Sequence, residues 1–152
     1  MPRLFVERIT MGLDQYGMIR NKQVDWKKVY SDNYNPTEDG FVWRKHARLQ
    51  VFMAREFAKQ NPNEKTDEHS NLNGLGFNGE EHKVIITEDV LKRLEEAIKS
   101  DYFDYFATDG FFWGQQFQEE QVKEYKKQDK QFLKFCKEQL KKGATIEYSC
   151  SW

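Results

Sequence analysis

From Glu119 to about Lys142 the chain holds apolar residues at helical spacing for roughly six turns, and Gly143 stops the run. Val122, Tyr125, Phe132, Leu133, Cys136 and Leu140 define one arc. A helix with a single apolar stripe must bury that stripe on other elements. Asp129 falls inside the arc. An inward carboxylate needs a cation or several donors, so Asp129 is expected to be buried and paired with an arginine or with several N–H and O–H groups. The opposite side carries Lys123, Lys127, Lys130, Lys134, Lys137 and Lys141 within roughly a quarter of the circumference. Glu120, Glu124 and Glu138 dilute this face. It reads as a solvated helix face. The alternative is an anion-binding surface of a virion or replication accessory component.

The other elements are shorter. "LFVERITMGLDQYGMIR" reads as extended, with a turn at Gly12. "DNYNPTEDG", residues 32–40, is turn chemistry. From Phe41 to about Lys59 the spacing predicts a helix, with Trp43, Ala47, Leu49, Val51, Met53, Ala54, Phe57 and Ala58 on one broad arc. Arg44, Arg48, Arg55 and Lys59 flank it. Residues 60–81 form a long polar loop, expected to be mobile or an insertion with little to bury. "HKVIIT" is a short strand, and Thr87 caps a helix with Val90, Leu91, Leu94, Ala97 and Ile98 inward. "ATDGFFWGQQF", residues 107–117, is read as a strand, and "ATIEYSCSW" as a terminal one. Strands and helices mix without regular alternation. The fold class is therefore α+β: a single domain over 1–152, with a small, mostly antiparallel sheet of about four strands packed with three helices.

Composition narrows the function classes. Apolar residues make up 38%, charged residues 32%, and the net charge is −1. That balance suits a soluble domain. It lacks the basic excess of a nucleic-acid coat, so nucleic acid is an unlikely partner. No apolar run reaches the roughly 18 residues of a membrane span, and the charged N-terminus is no secretory signal. Two cysteines, Cys136 and Cys150, read as reduced, packed thiols of a cytosolic protein.

The motifs are weak one by one. "GLGFNG" matches G-x-G-x-x-G, but a polar loop precedes it and a strand follows, so it reads as a turn. No zinc, P-loop or nucleophile-elbow motif is present, and nothing in the sequence implies a cofactor. His46 and Gln50 share the apolar arc beside Trp43. They form either a satisfied core pair or a polar spot at the base of a ligand cavity. Phe111, Phe112 and Trp113 follow Asp109 between two glycines. They form a core strand, an aromatic wall, or both.

Five short motifs together resemble a family of small uncharacterised bacteriophage proteins, including those of cyanophages and other marine phages. They are "MGLD" at 11–14, "WRK" at 43–45, "VIITEDVLKRLEEAI" at 84–98, "GFFWG" at 110–114 and "YSCSW" at 148–152. The resemblance covers residues 11–152, with 1–10 as an N-terminal extension. It implies a phage origin and the same domain, and imports no activity; the localisation that goes with a phage accessory protein is the host cytoplasm. The family's first helix carries its histidine one turn later than His46, where this chain has Gln50. That shift suits a rearrangeable polar pocket better than an obligatory catalytic histidine.

The reading that follows is a non-enzymatic phage accessory protein that binds a host or defence-system component, either a protein or a small anionic ligand such as a nucleotide. The candidate ligand-binding residues are Trp43, Arg44, Lys45, His46, Arg48, Gln50, Asp109, Phe112 and Trp113. The alternative is a small enzyme on a nucleotide or phosphorylated substrate, working through His46, Asp129 and the arginines. A concave pocket joining Trp43, Arg44, His46, Asp109 and Trp113 is what ligand binding requires. "GFFWG" and "YSCSW" are expected to pair, with Trp152 docked on the core.

Overall fold

The computed structural model describes residues 13–64, 77–79, 81–106 and 115–152. Its elements in chain order are β1 (Asp14–Ile19), α1 (Trp26–Val29), α2 (Pro36–Asp39), β2 (Phe41–Arg44), α3 (Ala47–Gln60), β3 (Val84–Ile85), α4 (Glu88–Lys99), α5 (Gln115–Lys141) and β4 (Ile146–Ser151). The strands form one sheet in the order β2-β1-β4-β3, with every neighbouring pair antiparallel. This is the α+β domain that the sequence implied. Two of its five described helices, α1 and α2, are single turns. No described helix is long and apolar enough to cross a membrane.

Period-two alternation divides the sheet into two faces. Gln15 and Gly17 of β1 lie opposite Trp43 and Phe41 of β2, and opposite Cys150 and Tyr148 of β4. That face is buried beneath the helices. The ring of Phe132 on α5 comes so close that a Cβ on Gly17 would sit 2.6 Å from it, with Trp43 also in contact at 3.3 Å. Gly17 is therefore the point where the long helix rests on the sheet. Phe41, Trp43 and Phe132 pack ring against ring with centroids 5.0–6.0 Å apart. The other face carries Asp14, Tyr16, Val42, Arg44, Glu147 and Ser149, and Trp26 of α1 lies edge-on against Tyr16.

Both sheet edges are closed by side chains. On β2, the Val42 N–H donates to the Tyr34 hydroxyl (3.1 Å), and the carbonyls of Val42 and Arg44 accept from Gln128 Nε2 (2.8 Å) and Tyr125 Oη (2.9 Å). On β3, the Gln60 carboxamide meets Ile85 from both sides, at 2.9 and 2.7 Å. Partners that recognise a protein by adding a strand have no open edge at these residues.

Several sequence expectations change. Phe41–Arg44 is a strand, not the first turn of a helix, and α3 starts at Ala47. The switch is made at Lys45, whose φ is +60°, a left-handed turn with no glycine or proline to announce it. The long helix starts at Gln115, so Gln116 and Phe117 are exposed helical residues rather than the end of a strand. Gln and Glu are good helix formers, and here they extend the helix backwards. The return of the long loop is anchored: Phe77 is buried and stacks on Phe57, centroids 4.5 Å apart. The segment therefore does bury something. The expectations for residues 1–12, 65–76 and 107–114, including "GFFWG", lie outside the described residues. Thr87 caps α4 through Val90 N–H, and all five expected inward residues of α4 are buried.

Candidate functional site

Asp129 lies in the core, on the face of α5 that meets the sheet. It has three hydrogen-bond partners and meets no arginine among the described residues. Trp43 Nε1 donates to Oδ1 at 2.7 Å, while His46 Nε2 and Tyr102 Oη reach Oδ2 at 2.8 and 2.9 Å. Each donor comes from a different place: the last part of β2, the residue capping α3, and the turn after α4. One carboxylate thus ties four segments together. Three donors satisfy a buried carboxylate without a cation. Burial first, and then the Asp129 charge, hold the Tyr102 hydroxyl well above the usual tyrosine range, so it stays a donor.

His46 is fully buried, stacked on Tyr125 with ring planes 15° apart and meeting Tyr102 edge-on. Its Nε2 is the ring nitrogen turned to the Asp129 carboxylate. Its Nδ1 has no hydrogen-bond partner among the described residues. An aspartate that fixes a histidine's tautomer is also the orienting half of a catalytic triad. Here, however, rings close over the imidazole.

The network continues across the core. The Gln15 carboxamide pairs with the backbone of His46 in both directions (3.0 and 2.9 Å) and also donates to Tyr148 Oη at 2.9 Å. Tyr148 donates to Gln50 Oε1 at 2.6 Å, and Gln50 Nε2 donates to Cys150 Sγ at 3.3 Å. The carbonyl of Phe77 accepts from Cys150 Sγ at 3.3 Å and from Trp152 Nε1 at 2.7 Å. Burial pushes the Cys150 thiol up to about 12, so it remains a neutral donor. His46, through Nε2, and Gln50 are thus core groups bonded by their side chains to other residues rather than to each other. Trp152 docks on Phe77, and the Asn78 carboxamide pairs with its backbone at 2.8 and 2.9 Å.

Of the residues that a ligand pocket would have to join, Trp43 and His46 face one side of the sheet and Arg44 the other. Trp43 and His46 lie inside, whereas Arg44 is the next residue on a strand and projects from the opposite face, beside Asp14 at 3.8 Å. Lys45 is spent on the turn, its N–H donating to the Leu13 carbonyl at 2.8 Å. Gln50 is sealed in the core. Asp109, Phe112 and Trp113 lie outside the described residues.

Among the described candidates, Arg48 lines a cleft. The cleft holds about 270 Å³ between the first turn of α3, the end of α4 and the start of α5, and is lined by Arg48, Ser100, Asp101, Phe103, Glu119, Val122 and Lys123. Only 8% of the Arg48 side chain is exposed. Its Nη1 donates to the Asp101 carbonyl at 3.2 Å, its Nη2 stands 4.0 Å from Glu119, and its Nε is buried without a partner among the described residues. The guanidinium lies over the Phe106 ring at 5.2 Å. Asp101 is held by Lys126 at 2.7 Å. A larger cavity of about 430 Å³ is lined by three carboxylates, Glu64, Glu81 and Glu147, against Lys83 and His82, so its charge balance favours an anion less than the Arg48 cleft does.

Sequence reasoning missed Gln15, Tyr102, Tyr148 and the cleft's far wall. The period-two spacing of Tyr148 and Cys150 was a signal for an inward-facing pair. Nothing marked Tyr102. No protein family matches the chain, and no curated protein or solved structure is significantly similar to it.

Proposed function

We propose that the chain is a non-enzymatic binding protein that takes a small anionic ligand in the Arg48 cleft, and that it serves as a phage accessory protein acting on a host or defence-system component in the host cytoplasm. The phage setting rests on the five-motif resemblance. The binding site rests on one observation: a guanidinium withdrawn from water to 8% exposure at a cleft, with a loose 4.0 Å contact to Glu119 as its ion pair among the described residues. A buried cation is costly unless it is well paired. A half-exposed carboxylate at that distance contributes little and is easily displaced. An incoming phosphate or carboxylate can meet the guanidinium as a fork. Lys123 adds a second cation at the rim. The closed rings around His46 and Asp129 support binding over turnover.

Titration calorimetry with inorganic pyrophosphate at low ionic strength tests this. Binding should weaken at least tenfold in Arg48→Gln and a few-fold in the exposed Lys123→Gln. It should be unchanged in Lys134→Gln, on the solvated side of α5. No heat with the wild-type protein overturns the reading. The enzymatic alternative is favoured by the unpartnered Nδ1 of His46. It requires turnover of a phosphate ester that His46→Gln abolishes while pyrophosphate binding persists.

A further inference from the structure

Three features that each cost free energy meet at the Arg48 cleft. The first is the desolvated guanidinium. The second is the backbone: Asp101 and Tyr102 both have positive φ, +54° and +56°, consecutive left-handed residues without a glycine. Strain of this kind gathers at ligand clamps. The third is Phe103. The turn buries Tyr102 on Asp129 and in doing so throws the next ring outward, 78% exposed, at the lip of the cleft. Phe106, partly exposed, lies against the guanidinium. A large uncovered aromatic ring beside a buried arginine is the pattern of a binding surface rather than of a solvated one.

The complement of this surface can be read from its chemistry. Arg48 and Lys123 call for an anion. The Glu119 carboxylate on the wall has lone pairs enough to accept from a further donor. The open Phe103 ring calls for a flat face. The cleft volume of about 270 Å³ is several times the ~30 Å³ share of a liquid water, so a bare oxyanion would leave most of it wet. We infer that the ligand is a nucleoside monophosphate: its phosphate sits on Arg48, its sugar hydroxyls face Glu119, and its base stacks on Phe103. A free nucleotide fits better than a strand, because the cleft's two cations face two carboxylates, Asp101 and Glu119, and form no basic track along which a backbone could run. This inference rests on the anion-binding reading above and adds the ring to it.

Calorimetric titrations with adenosine 5′-monophosphate, ribose 5-phosphate, inorganic pyrophosphate and a single-stranded oligonucleotide separate the two. Adenosine 5′-monophosphate should bind at least tenfold tighter than ribose 5-phosphate. Phe103→Ala should erase that ratio and leave ribose 5-phosphate binding unchanged. The exposed position of Phe103 makes this variant safe for folding. Equal binding of the two phosphates, or a ratio that survives Phe103→Ala, overturns the inference and leaves the anion reading standing. Binding of the oligonucleotide without the mononucleotide also overturns it, in favour of a strand. Failure of every phosphate, pyrophosphate included, overturns both.

Discussion

Helices α4 and α5 end in the same way and are built from different residues. After α4, the N–H of Asp101 donates to Ile98 and that of Tyr102 to Ala97; after α5, the N–H of Gly143 donates to Leu140 and that of Ala144 to Gln139. Both are Schellman motifs, with the residue after the cap in the left-handed region. At α5 that residue is Gly143, φ +82°, where a Cβ would meet nothing within 4 Å. At α4 it is Asp101, and Tyr102 follows it into the same region. Glycine is free of strain there, whereas an ordinary residue costs roughly 1–2 kcal/mol. The strained end is the one whose side chains are used: Asp101 meets Lys126, its carbonyl meets Arg48, and Tyr102 meets Asp129. The relaxed end only turns the chain into β4. Side-chain contacts offset strain at one end, and no contact is needed at the other.

The comparison breaks most visibly if its anchor is removed. Asp129→Ala leaves Trp43 Nε1, His46 Nε2 and Tyr102 Oη without their acceptor inside the core. Removing one member of a buried charged cluster costs about 3–5 kcal/mol. For a chain of this size that is a drop in melting temperature of about 6–20 °C. The loss should be local before it is global. Hydrogen exchange at the Tyr102 amide should accelerate well before exchange at Ala144. If both amides accelerate together, Asp129 supports the whole core equally and the end of α4 has no special dependence on it.

What the sequence disclosed follows the same division. The stop at Gly143, the Thr87 cap, the strand at Ile146–Ser151 and the inward Asp129 all had chemical markers: a glycine, a hydroxyl before a helix, alternation, a charge in an apolar arc. The switch from strand to helix at Lys45 and the turn at Asp101–Tyr102 had none, because left-handed residues other than glycine leave no punctuation. The same gap hid the cleft. Its far wall, Ser100 to Phe103, is positioned by that unmarked turn, so Arg48 could be read as a flank residue but not as part of a cavity. Trp43 and Ala47 lie four apart by coincidence across the Lys45 turn, and that spacing made β2 look like the start of α3.

A smaller test places the used residue at the unused end. Gly143→Asp puts a side chain into open space, so no clash contributes. Backbone strain of roughly 1–2 kcal/mol is then offset in part by the roughly 0.5–1 kcal/mol that a side chain removes from the freedom of the unfolded chain, so the net cost should be about 0.5–1 kcal/mol, or about 1–4 °C in melting temperature. No change would mean that aspartate is at ease in this geometry without partners. The strain assigned to Asp101 would then vanish, and with it one of the three costs that single out the cleft.

The smallest effect is expected from the converse exchange, Asp101→Gly. Relief of left-handed strain contributes about 1 kcal/mol in favour of the variant. Against it, glycine adds backbone freedom to the unfolded chain, roughly 0.5–1 kcal/mol. The ion pair with Lys126, partly exposed on both sides, is lost at roughly 0.2–1 kcal/mol. These terms nearly cancel, so urea denaturation should place the variant within about 1 kcal/mol of the parent. The bond from Arg48 runs to the carbonyl of residue 101, not to its side chain, so pyrophosphate binding should persist. A gain equal to the loss at Gly143→Asp would show that the Asp101 side chain contributes nothing, leaving the strain without an offset in the free protein. A loss beyond about 2 kcal/mol, more than an exposed ion pair supplies, would instead make the carboxylate the part that fixes the turn. In that case the end of α4 is held from the surface by Lys126 and not from the core by Asp129.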